Sequence, residues 1–116
     1  PRLTIDAEVS SAEAGPSAAS ALHSLEPFGN GNPDPVLCVR GVNLSSVVPT
    51  RNPEHAQVTL ETNDGPRRGM AFGIGQDLAS LEPGARVDVA LRIEANEFNG
   101  KTTARWIVVD VQESES

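Results

Sequence analysis

Along most of the chain after residue 35, apolar and polar residues alternate with a period of two, which predicts strands buried on one face. The clearest case is Arg86 to Ala95, where Val87, Val89, Leu91 and Ile93 share one face and Arg86, Asp88, Ala90, Arg92 and Glu94 the other. Val36 to Val47 predicts a long first strand. Gly41 in its middle permits a bulge or sharp coil, so that one strand can serve both sides of a small barrel. Ser45 to His55, with Pro49 and Pro53, reads as a loop. Gln57 to Thr62 sets Val58 and Leu60 against Gln57, Thr59 and Glu61, Asn63-Asp64-Gly65-Pro66 predicts a turn, and Arg67 to Phe72 a third strand. Gln76 to Leu81 predicts one helical turn, stopped by Pro83-Gly84. Asn99-Gly100 favours a type I′ hairpin turn into a last strand, Thr102 to Val111.

Before residue 36 the pattern differs. Leu3, Ile5, Ala7 and Val9 alternate with polar residues and predict a short extended segment, after which Ser10 or Ser11 can cap a first turn. Pro16 suits the first position of a helix in which Ala18, Ala21, Leu22 and Leu25 form an apolar stripe, and Pro27 ends it. Residues 26–35 are dense in Pro, Gly and Asn and predict a connector, with Phe28 its one large apolar group. The chain therefore divides into a linker segment (1–35), a β-domain (36–112) and a tail (113–116). Three strands, a short helix and a two-stranded hairpin follow the element order of the OB-fold, a five-stranded Greek-key barrel, here preceded by a helical linker. Val58, Leu60, Val87, Val89, Leu91, Ile93 and Val108 are the expected core, with Phe72 and Trp106 as further core candidates.

At 116 residues the chain has room for one modest core, and no run reaches the ~18 apolar residues of a membrane span, so no membrane is expected as a partner. A single cysteine, Cys38, excludes an internal disulfide, is expected to fill the core, and suits a reducing, cytoplasmic compartment. The opening Pro1-Arg2-Leu3-Thr4 has no starting Met or signal pattern and reads as a piece of a longer protein. Sixteen acidic against nine basic residues give a net charge of −7, which excludes a globally basic nucleic-acid binder. The excess is localised: residues 36–112 carry eight basic and nine acidic side chains, so a basic strip remains open there.

Catalytic signatures are missing. The two histidines, His23 and His55, are far apart, and neither has metal-ligand spacing to another His, Cys or carboxylate. Gly73-Ile74-Gly75 is a turn between strand and helix rather than part of a phosphate-binding loop. The expectation is a chain with no catalytic residue, no metal site and no cofactor of its own.

The connector Leu25-Glu26-Pro27-Phe28-Gly29-Asn30-Gly31-Asn32-Pro33-Asp34-Pro35-Val36 resembles the segment joining the second core domain to the OB domain in bacterial RecJ-type exonucleases. Ile5-Asp6-Ala7-Glu8, His55 to Leu60, Ala71-Phe72-Gly73, Val87-Asp88-Val89 and Asn96-Glu97-Phe98-Asn99-Gly100 extend the resemblance nearly end to end. Leu37 departs from it, standing where the family often has an aromatic residue, and residues 45–55 are individual to this sequence. The resemblance implies a parent enzyme that digests single-stranded DNA 5′ to 3′ in DNA repair and recombination. It further implies a DHH-type catalytic core elsewhere in the polypeptide, using divalent Mn or Mg. The partners it implies are single-stranded DNA, that core and other repair proteins. The competing reading is a structural domain whose acidic linker docks on the core or on a partner such as a helicase, without touching DNA.

OB-folds bind nucleic acid on the face of their second and third strands and with the loops after the first and fourth. Those places hold Arg51, Asn52, His55, Arg67, Arg68, Met70, Phe72, Phe98 and Lys101. Arg51, His55, Arg67, Arg68 and Lys101 are the candidate phosphate contacts, and Phe98 the candidate for stacking under a base. Each has a plainer alternative: His55 a surface histidine, Arg67-Arg68 a solvated strand end, Phe98 a hairpin tip folded onto the barrel.

Overall fold

The computed structural model describes residues 5–15 and 35–114, with residues 96–98 and 102 described by backbone alone. The expected helix with its Ala18, Ala21, Leu22 and Leu25 stripe, His23, and the connector up to Asp34 lie outside the described residues.

A long bent strand organises the barrel. β2 (Leu37–Pro49) pairs through its first half with β5 (Ala85–Phe98) and through its second half with β3 (Ala56–Thr62), so it belongs to both walls. The bend is local. Register slips between Val39 and Val42, where Gly41 adopts φ +70° and its N–H donates to Asp88 Oδ1 at 2.9 Å. β3 turns into β4 (Gly65–Ala71), β4 lies parallel to β6 (Lys101–Glu113), and β6 pairs with β5, which returns to β2. The result is a closed five-stranded barrel with OB-fold connectivity. Between β4 and β5, the short helix α1 (Gly75–Ala79) packs Leu78 into the core.

Strand parity chooses the core. Val58, Leu60, Val87, Val89, Leu91, Ile93 and Val108 are all buried, joined by Val39, Val42, Leu44 and Trp106. Each such side chain contributes about 1.5–3 kcal/mol relative to an exposed one. Between β4 and β6 the backbones approach so closely that a Cβ on Gly69 would stand 2.2 Å from the Trp106 carbonyl oxygen. Only glycine fits there.

Several boundaries and burials differ from expectation. The first strand runs on to Pro49, past its expected end at Val47 and into the expected loop: Ser45 is absorbed as a second bulge, its hydroxyl donating to the Thr59 carbonyl, and Val47 and Val48 pair with Val58 and Gln57. Pro49 is tolerated because it is the strand's last residue, where a missing N–H costs little. The third strand starts at Gly65 instead of Arg67, leaving a two-residue turn, Asn63-Asp64, clasped by the Thr62 hydroxyl. Cys38 is half-buried on the outward side of β2 because its neighbour Val39 takes the inward place, and that partial burial raises its thiol pKa. Phe72 is 49% exposed, since inward Gly69 and Ala71 put the next residue outside.

Residues 5–15 pack on the barrel. β1 (Ala7–Glu8) runs parallel to the start of β2, extended by Asp6 N–H to the Val36 carbonyl and Val9 N–H to the Cys38 carbonyl. Ser10 and Glu13 then form a reciprocal cap: Glu13 N–H donates to Ser10 Oγ, and Ser10 N–H to Glu13 Oε1. Hydrogen bonding to the Glu13 carboxylate from the Ser10 N–H first, and from the Ser10 hydroxyl second, lowers its pKa. The turn this cap starts is anchored by the Trp106 indole, whose Nε1–H donates to the buried Ala14 carbonyl at 2.9 Å. Ser11 Oγ donates to Asp64, and Arg67 Nη2 to the Ser11 carbonyl at 3.5 Å.

Candidate nucleic-acid interface

Pairing partners fix which outward side chains stand side by side. Val48, Gln57, Met70 and Ile107 form one row across β2, β3, β4 and β6. The next row is Ser46, Thr59, Arg68 and, on β6, Arg105. Together with Thr103 and Ala104, all of these but Ile107 line a groove of about 520 Å³, open to solvent on the face where OB-folds bind nucleic acid. Among the described residues its lining holds two arginines and no carboxylate.

The two guanidinium groups differ. Arg105 Nη2 meets Glu94 Oε1 at 2.7 Å, so part of its charge is answered from β5. Arg68 is exposed and has no ion-pair partner among the described residues. It is therefore the cation of the groove most available to an anion.

Arg67 does not join it. Successive residues of a strand point to opposite faces, so Arg67 turns toward the Ser11–Gly15 turn while Arg68 turns outward. The adjacent arginines thus serve two tasks, one holding the N-terminal segment and one facing the groove.

The loop after β2 flanks the groove. Thr50 N–H donates to the His55 carbonyl, His55 N–H to the Asn52 carbonyl, and Asn52 Oδ1 accepts from Glu54 N–H. Gly75 N–H ties this loop to the start of α1 through the Glu54 carbonyl. Arg51 is exposed on the loop, and Asn52 caps its own turn. His55 is held as well: its Nδ1 accepts from Gly73 N–H at 2.9 Å, and its ring meets the Phe72 ring edge-on at 5.3 Å.

At the far hairpin, Asn99 and Gly100 both take positive φ, as a type I′ turn requires, and Lys101 beyond them is exposed. By strand period Lys101 shares the face of Thr103 and Arg105. The Phe98 side chain lies outside the described part. Gln57, Thr59, Ser46, Thr103 and Arg105 were not singled out from the sequence as interface residues, although the alternation of Gln57 and Thr59 with buried Val58 already placed them outward.

Strong electrostatics lie elsewhere, where β1, β2 and β5 meet. Arg40 bridges Glu8 at 3.0 Å and Asp88 at 3.3 Å. The Ser114 hydroxyl, Gly41 N–H and the Arg40 and Arg86 charges hold the Asp88 carboxyl below the usual range despite its burial. This cluster ties the N-terminal segment, the β2 bulge and the end of β6 together. Among the described residues no three His, Cys, Asp or Glu side chains are grouped to hold a metal. None of the described helices is long and apolar enough to cross a membrane.

A closed barrel with an open, cation-lined groove on this face defines the OB-fold class. The RecJ OB domain family matches residues 5–110, and the chain belongs to it. It is 25% identical over 95 residues, 81% of its length, to the single-stranded-DNA-specific exonuclease RecJ of Bacillus subtilis (strain 168). The crystal structure of RecJ in complex with Mn²⁺ from Thermus thermophilus superposes on 87% of the chain, with a TM-score of 0.56 and 24% identity. The Mg²⁺ complex from the same source gives the same coverage, TM-score and identity. The chain spans only 12% of the Bacillus relative, and 15% and 16% of the two Thermus chains.

Proposed function

We propose that this chain is the non-catalytic single-stranded-DNA-binding domain of a RecJ-type exonuclease acting 5′ to 3′ in DNA repair and recombination. The carrying observation is the groove: in a chain of net charge −7, its lining among the described residues holds Arg68 and Arg105 and no carboxylate. A polyanion approaching there meets positive charge first. Arg68 takes a phosphate directly, Arg51 and Lys101 extend the cationic track at either end, and Gln57, Thr59 and Ser46 supply neutral hydrogen bonds. Sequence preference is weak, because no base edge is read by a fixed bidentate pair.

Hydrolysis belongs to a catalytic core elsewhere in the polypeptide, which holds the divalent metal, Mn²⁺ or Mg²⁺. This rests on the family, on the metals named for the Thermus structures, and on the small share of the relatives' length that the chain spans. The cytoplasm is the compartment where such an enzyme meets chromosomal DNA. Other repair proteins are further partners.

A docking domain that packs on the core without touching DNA is the second reading, favoured by the exposed Val48 and Phe72, which another domain could cover. Fluorescence anisotropy separates the two. A labelled thymidine oligonucleotide should bind the chain saturably at low salt. No binding there, with retained affinity for the separately produced catalytic core, would establish the docking reading instead.

A further inference from the structure

Beyond the groove, a large aromatic side chain stands exposed. Phe72 is 49% exposed, one residue past the end of β4, while the indole of Trp106 is fully buried. Just past the end of β4, Phe72 continues the outward alternation of Arg68 and Met70, which line the groove. The ring is also braced. His55 packs against it at 5.3 Å with an interplanar angle of 71°, and His55 is itself held by Gly73 N–H at 2.9 Å. Gly73 makes that bond from the left-handed region (φ +81°), so a turn that favours glycine holds both rings in place.

Exposing a large apolar ring carries no benefit to the fold, whereas a flat ring fixed before binding loses little freedom when a planar ligand stacks on it. The groove beside it places the cations Arg68 and Arg105 and the polar Ser46, Gln57 and Thr59 among the apolar Val48 and Met70, a mixture that suits the phosphodiester and base of a nucleotide. We propose that Phe72, braced by His55, is a base-stacking subsite at the β2–β3 loop end of the groove, taking one nucleobase whose phosphate lies toward Arg68. This rests on the single-stranded-DNA reading above. It moves the stacking role from the closing hairpin to the opposite end of the face.

The test pairs protein variants with oligonucleotides carrying one abasic site, walked along a thymidine oligomer, against the 116-residue chain. Phe72→Leu should weaken binding about tenfold, the scale of one stacked base, and Phe72→Trp should restore it. One abasic position should cost the parent chain a similar factor and cost Phe72→Leu nothing further. A 2-aminopurine at that position should be quenched on binding to the parent and not to Phe72→Leu. Unchanged thermal melting of Phe72→Leu excludes a folding defect. If the parent binds DNA but Phe72→Leu binds equally well, or loses affinity equally at every abasic position, the subsite is wrong and the DNA reading stands. If the parent binds no DNA, both fall.

Discussion

Replacing Gly69 with alanine adds one methyl group at the seam that closes the barrel. The new carbon would lie 2.2 Å from the Trp106 carbonyl oxygen and 3.0 Å from its carbonyl carbon. Carbon and carbonyl oxygen on adjacent strands normally meet at ~3.3–3.6 Å, so the strands must part by about 1 Å. The atom opposite is backbone and cannot rotate away. β4 and β6 pair at only three positions, Gly69, Met70 and Ala71, so there is little ladder on either side to absorb the shift. Overpacking of this kind costs about 1–3 kcal/mol or more, out of ~5–15 kcal/mol for a domain of this size. At roughly 4–8 °C per kcal/mol, Gly69→Ala should melt about 4–24 °C below the parent by circular dichroism. Gly65→Ala is the control for added volume, because a Cβ there meets nothing within 4 Å, though its positive φ still carries some strain. A Gly69→Ala chain melting within about 2 °C of the parent would refute the close β4–β6 approach.

Trp106→Phe keeps an aromatic ring but removes the donor to the Ala14 carbonyl. It should cost about 1–3 kcal/mol and speed hydrogen exchange at residues 11–15, read by mass spectrometry. Val89→Asp places an unpaired charge at a fully buried position and should leave the chain unfolded by circular dichroism at about 25 °C. The Asp88 carboxyl is lowered in the fold, so its contribution is complete above its unfolded value and is lost as pH falls through the folded one, below about pH 4. Asp88→Asn should therefore be less stable than the parent at neutral pH and approach it under acid, measured by urea melts across roughly pH 3–7.

Much of the barrel was legible because strand parity survives folding: Val87 to Ile93 alternate without interruption, and every apolar member is buried. The Asn99-Gly100 turn was readable for a similar reason, since few other pairs adopt two positive φ angles. The strand's continuation past Val47 was hidden by Pro49, and the bulge at Ser45 shifts parity without marking the sequence. Gly69 carried no local signal, because its need arises from a strand distant in the chain. The candidate site was half legible. The OB rule located the face, but the pair Arg67-Arg68 looked like one patch until strand geometry sent Arg67 to the Ser11 carbonyl. Phe72 stood both as a core candidate and on the binding face, and strand parity, which it shares with Arg68 and Met70, places it outside.

The claim that this face binds single-stranded DNA through Arg68 is tested most directly by the salt dependence of oligonucleotide binding for two single variants. Each phosphate engaged on a single strand contributes a slope of ~0.7 to log K against log salt. Arg68→Ala should flatten the parent slope by about 0.7, whereas Arg67→Ala should leave the slope unchanged and lower the melting temperature. Equal slopes for parent and Arg68→Ala, or a flattening produced by Arg67→Ala instead, would contradict the account.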